Sequence, residues 1–135
     1  MQSREQAPGL FLAAIAMSLI GKPFYERGAS PDTGFDCAGL VSYALSRIGI
    51  DAPHSLWPQY RLGVPVSTAH MKPGNLLFFS TYASGPTHVG IYVGEGRFVH
   101  CTDTRGVMLA RIYDPFFAAH LLGARCLTVR KRVSL

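Results

Sequence analysis

The stretch His88-Val89-Gly90-Ile91-Tyr92-Val93-Gly94-Glu95-Gly96-Arg97-Phe98-Val99-His100-Cys101 decides how this chain folds. Two runs rich in β-branched and aromatic residues flank a glycine-rich centre, the pattern of a β-hairpin. What matters is register, because a slip of one residue sends every side chain of a strand to the opposite face. A two-residue loop of Glu95 and Gly96 puts the two histidines on opposite faces. A three-residue loop with Gly96 in the left-handed conformation pairs Val93 with Arg97, and so Gly90 with His100. This second register sorts the side chains. Val89, Ile91, Val93, Val99 and Cys101 then form one apolar face suited to covering by a helix. His88, Gly90, Tyr92, Phe98 and His100 share the other, where the histidines are diagonal neighbours within reach and Gly90 leaves space beside them.

Upstream, Asp36-Cys37-Ala38-Gly39-Leu40-Val41-Ser42-Tyr43-Ala44-Leu45-Ser46-Arg47-Ile48 has apolar residues at 40, 41, 44, 45 and 48. That spacing predicts a helix, with Asp36 suited to its N-cap and Gly49 to its C-terminal cap. An earlier apolar run, Ala7 to Ile20, follows Arg4 and superficially resembles a signal peptide. It is too short to span a bilayer and has no clean cleavage site. The run is expected to be the first helix of the fold, with Leu10, Ala13, Ala14, Met17, Leu19 and Ile20 on one face. Residues 21–34 read as a loop, and residues 51–73, with four prolines, as a long connection.

Further strands are predicted at Leu76 to Phe79 and Val107 to Ile112, a short helix at Pro115 to Leu122, and a closing strand from Ala124 to Val133. Helices first and an antiparallel sheet after them predict an α+β fold. The 135 residues suffice for one domain, spanning 1–135, with no space for a separate binding module. The chain is 48% hydrophobic and 16% charged, which excludes a disordered polypeptide. Its net charge of +5 suits a polyanionic partner. The basic cluster Arg125, Arg130, Lys131 and Arg132 lacks interleaved aromatic residues, which argues against nucleic acid. The three cysteines (Cys37, Cys101, Cys126) are an odd number without zinc-finger spacing. One reactive cysteine with two buried bystanders is expected.

Cys37 falls on the first turn of its helix, where free N–H groups and the positive end of the macrodipole favour a thiolate. Such positions, with an imidazole nearby, lower a cysteine pKa from ~8.5 to roughly 3.5–7.5. The same N–H groups can hold the oxyanion of a tetrahedral intermediate. With His88 and His100 on one face, a relay of nucleophile, base and orienting residue follows.

The chain resembles the NlpC-type cell-wall endopeptidases, a papain-like family of cysteine hydrolases. The resemblance rests on Gly21-Lys22-Pro23, Gly34-Phe35-Asp36-Cys37-Ala38-Gly39-Leu40-Val41, Lys72-Pro73-Gly74-Asn75-Leu76-Leu77-Phe78-Phe79, His88-Val89-Gly90-Ile91-Tyr92-Val93-Gly94 and Phe98-Val99-His100, in family order. It implies a papain-like domain, helices packed on an antiparallel sheet. Cys37 would be its nucleophile, His88 its general base and His100 its third polar residue. The substrate implied is the peptide stem of bacterial peptidoglycan, with no cofactor and no metal.

Three positions depart from the family pattern. Ala38 stands where the family has a serine that helps the preceding Asp, here Asp36, to hold a substrate amine. Family members carry a tyrosine where this chain has Phe24, and Tyr25 could supply its hydroxyl one position later. Asn75 replaces an aspartate and is expected to be a turn substitution.

A zinc site of Cys37, His88 and His100 lacks a fourth ligand. A lipid acyltransferase or phospholipase of the permuted relatives would carry histidine before cysteine, the reverse of the order here. Small size and a missing Sec-type signal suggest delivery to the periplasm or cell wall by a dedicated secretion system. That fits an injected antibacterial toxin with a cognate immunity protein. A phage lysis enzyme or a housekeeping wall hydrolase is the alternative; insertion into a membrane is not expected.

Overall fold

The computed structural model describes residues 7–127. In chain order its elements are α1 (Ala7–Ser18), β1 (Ala29–Ser30), β2 (Gly34–Phe35), α2 (Cys37–Ser46), α3 (Leu56–Leu62) and β3 (Val64–Val66). A 3-10 turn (Thr68–His70) leads to β4 (Leu76–Phe79), β5 (His88–Gly94), β6 (Arg97–Thr102), β7 (Gly106–Arg111), α4 (Pro115–His120) and β8 (Leu121–Cys126). The main sheet has six strands in the order β3-β8-β4-β5-β6-β7, and its pairings are antiparallel. This is the expected α+β architecture. The described helices include none long and apolar enough to cross a membrane.

The sheet buries both faces. Against one lie α1 and α2, closing a core of Leu12, Leu40, Val41, Leu45, Phe78, Val89, Ile91 and Val99. Against the other, Leu77, Phe79, Tyr92 and Phe98 meet Phe117 from α4. The two faces of β5 and β6 are those the alternation predicts, with Val93 only partly buried on the first. The second face is therefore a smaller core in its own right, and it surrounds the histidines with aromatic rings. On α4, Phe116 lies outward while Phe117 turns in.

Gly90 does pair with His100 and Gly96 does have positive φ, but by a different route from the predicted loop. Gly94 pairs with Arg97, so the loop has the two residues Glu95 and Gly96. Both have positive φ, 55° and 73°, as a type I′ turn requires. A regular ladder from that turn would pair Val93 with Phe98 and separate the histidines. Instead, Val93 is skipped as a bulge between the Tyr92–Phe98 and Gly94–Arg97 pairs, which restores the Gly90–His100 register. The left-handed Glu95 is held from outside the turn: the Gly96 N–H donates to the Tyr92 hydroxyl at 3.0 Å, and the Gly96 carbonyl accepts from Ile112 N–H at 2.8 Å.

Three other expectations are corrected. The buried side of α1 is Gly9, Leu12, Ala13 and Ala16, with Leu19 just beyond; Ala14, Met17 and Ile20 face outward. The run is apolar almost all round, so periodicity could not choose its face. Close approach does: a Cβ on Gly9 would lie 2.5 Å from the Pro73 carbonyl oxygen. Residues 51–73 are not one loop, because α3 and β3 both form there. Pro58 sits in the first turn of α3, where no intrahelical N–H is needed, and Pro65 lies on the edge strand β3. The closing strand is β8, Leu121–Cys126, and the rest of the expected strand to Val133 lies outside the described residues, as do Arg130, Lys131 and Arg132.

Helix α2 ends at the Arg47 C-cap, two residues before the left-handed Gly49, and its start is seated by glycine. A Cβ on Gly39 would lie 1.9 Å from the Gly28 carbonyl oxygen and 2.9 Å from an Asp36 carboxylate oxygen. Gly39→Ala is therefore expected to destabilise the domain by roughly 1–3 kcal/mol or more, the usual cost of overpacking. Chemical denaturation of the two proteins checks this.

Candidate active site

Cys37 opens α2, and Asp36 caps it: the Asp36 carboxylate accepts from Gly39 N–H at 2.7 Å. The same carboxylate oxygen lies 2.6 Å from His54 Nε2 in the segment before α3. Beyond it, the fully buried Gln59 ties two elements together, donating from Nε2 to the carbonyls of Ala38 (3.0 Å) and Pro53 (2.7 Å). The cleft at Cys37 has a volume of about 440 Å³ and is lined by Arg27, Asp36, Cys37, Ala38, His54, Ser55 and Leu56. Of the substrate-binding residues named from the sequence, Asp36 and Ala38 lie there. Tyr25 does not: it is exposed and outside that lining.

Helix α2 packs on β5, which carries His88 at its first position. The backbone N–H groups of Val89, Ala38 and Cys37 itself all favour the ionised sulfur. Burial opposes them, and it dominates. The thiol is pushed up from 9.0 to about 11, with the Asp36 carboxylate adding to the rise. The low thiolate pKa expected from helix position alone is thus overturned, because a charge at this buried sulfur loses its solvation. Burial likewise depresses His88 from 6.5 to about 4. At neutral pH the two rest as a neutral thiol and a neutral imidazole.

His88 Nε2 and His100 Nδ1 are 2.9 Å apart. Gly90, facing His100 across the ladder, is a condition of this contact: a Cβ there would lie 2.7 Å from the Phe98 ring and 3.3 Å from the His100 Cβ. His100 is buried between Phe98 and Phe117, with centroids 5.0 and 5.2 Å away, and Phe79 stands 6.1 Å from His88. Burial, then the neighbouring His88, lowers His100 to about 3. His100 Nε2 is buried without a hydrogen-bond partner. Of the two tautomers, the one with His88 donating from Nε2 to His100 leaves His88 Nδ1 unprotonated and able to accept a proton.

No disulfide joins the three cysteines. Of the two expected to be buried, Cys126 is only half-buried. Cys101 is buried and donates to the Phe35 carbonyl at 3.1 Å, and burial pushes it up to about 12. Asn75 is a turn residue, as expected, its side-chain oxygen accepting from Lys72 N–H at 2.8 Å. Arg27, His54 and Gln59 were missed by sequence reasoning.

A cysteine at a helix start, beside a strand bearing two linked histidines, is the constellation of nucleophilic cysteine hydrolases. The family can be named: the sequence profile of the NlpC/P60 family matches residues 21–126, and the chain belongs to that family. It is 36% identical over 112 residues to the gamma-DL-glutamyl hydrolase of Bacillus subtilis, covering 82% of this chain and 27% of that protein. To the murein DD-endopeptidase MepH of Escherichia coli it is 38% identical over 114 residues, covering 81% and 42%. An NlpC/P60 family protein from Bacillus cereus superposes with a TM-score of 0.82 at 28% identity, over 90% of this chain and 40% of that one. The chain thus spans less than half the length of these relatives.

The histidine burial has a consequence for stability. Unfolded, both imidazoles titrate near 6.5; folded, they hold out to about 4 and about 3. Between these limits the unfolded chain binds protons that the folded chain refuses, so stability rises with pH there and falls on acidification from 6.5 towards 4. Thermal melts should show a lower Tm at pH 4.5 than at pH 7. The difference should shrink in His100→Gln, which removes one of the two groups.

Proposed function

We propose that this domain is a cysteine peptidase that hydrolyses an amide bond in the peptide part of peptidoglycan. The single observation that carries the proposal is the placement of the Cys37 thiol, at the start of α2 and against the Val89 N–H, beside a strand whose His88 is bonded to His100. Family membership supports the substrate class, since relatives bear the names murein endopeptidase and peptidoglycan endopeptidase.

In this mechanism the neutral pair does not separate charge at rest. The Cys37 proton passes to His88 Nδ1 as the sulfur attacks the scissile carbonyl, and backbone N–H groups at the start of α2 receive the developing oxyanion. His100 holds the tautomer and ring angle of His88, and His88 then returns the proton to the leaving amine. Water, deprotonated by the same imidazole, resolves the acyl-enzyme. Two relatives of nearly equal similarity bear different activity names, gamma-DL-glutamyl hydrolase and murein DD-endopeptidase. Likeness alone therefore does not choose between them.

Cys37→Ala is expected to abolish release of muropeptides from purified sacculi while melting like the wild type. Turnover near the wild-type rate would sink the assignment. His88→Ala should come close to the same defect, a loss of about 10²–10⁴-fold or more, whereas His100→Gln should keep measurable turnover. EDTA should change nothing.

As an injected antibacterial effector, the domain would act from the periplasm. Directed there by an appended signal, it should lyse Escherichia coli, and Cys37→Ala should not.

A further inference from the structure

Arg27 lines the cleft that holds Cys37, and its backbone is unusual: φ is 61°, in the left-handed region that favours glycine. Nothing in the described fold accounts for an arginine there. Its neighbour Gly28 explains the tight packing at this corner, because a Cβ on Gly28 would lie 2.4 Å from the Gly34 carbonyl oxygen. The Arg27 side chain is exposed and makes no hydrogen bond or ion pair among the described residues, whereas the acidic group of the same cleft is already engaged. One Asp36 carboxylate oxygen receives both the Gly39 N–H and the His54 imidazole. The cleft thus combines an anion tied to its own protein partners with a cation that has none. A substrate group entering beside the nucleophile finds a guanidinium to pair with, and an ammonium would have to compete with His54 for Asp36.

Resting on the peptidase reading, we propose that Arg27 is a specificity-determining residue that binds a free carboxylate on the substrate residue flanking the scissile amide. Guanidinium and carboxylate match in planar, two-bond geometry, so the contact discriminates between a carboxylate and its uncharged amide. Substrates bearing the carboxylate are selected, and amidation at that position makes a poor substrate.

The test uses stem peptides of one sequence in matched pairs, with the D-glutamate carboxylate free or amidated, and separately with the diaminopimelate carboxylate free or amidated. Wild-type protein should prefer the free form in one pair by about tenfold or more in kcat/KM, the scale of a lost charge-assisted contact. In Arg27→Gly, a substitution its backbone welcomes, that ratio should fall towards one, through KM rather than kcat. Arg27→Lys should retain part of the preference. Melting curves should place Arg27→Gly within a few degrees of wild type. The proposal is overturned if wild type discriminates in neither pair, if its preference survives in Arg27→Gly, or if Arg27→Gly melts far lower, since Arg27 would then be structural. Wild type that cleaves no stem peptide would instead remove the peptidase reading itself, and this proposal with it.

Discussion

The 2.9 Å contact between His88 and His100 exists because one residue is left out of a ladder. A two-residue turn alone would place the imidazoles on opposite sides of the sheet, one among the helices and one among the aromatic rings. The bulge at Val93 moves the register by one, and much else in the structure serves to hold it. The Tyr92 hydroxyl and the Ile112 N–H grip Gly96, Gly90 leaves room for the paired rings, and Phe98 and Phe117 wall in His100. Bulges of this kind re-aim side chains next to functional sites, and here the re-aimed group is an imidazole.

The same wall sets the electrostatics. Excluding water from the histidines depresses their basicity, and excluding it from Cys37 raises the thiol despite three N–H groups that favour the anion. Position at a helix start is a real but modest influence, and desolvation outweighs it here. The result is a pair that rests neutral at pH 7.

How much of this was legible in the sequence varied with the range of the interaction. The α2 cap at Asp36, the strands β4 to β7 and the two faces of the hairpin could be read, because each rests on spacing within about a dozen residues. The Gly90–His100 pairing was reached through the wrong loop: the sorting of side chains fixes a register, but it does not say whether a longer turn or a bulge supplies it. The face of α1 could not be read, since an almost uniformly apolar run presents no contrast and Gly9 was chosen by contact with Pro73. α3 was hidden by Pro58, which reads as a breaker unless it falls in a first turn. His54 and Gln59 reach their partners, Asp36 and the Ala38 carbonyl, across 18 and 21 residues, and no local pattern announces such contacts.

Burial of the Cys37 thiol also bears on how long the protein lasts. Oxidants and alkylating agents react with thiolates far more than with thiols. Burial holds the Cys37 proton in place at pH 7, so the sulfur rests as the less reactive thiol.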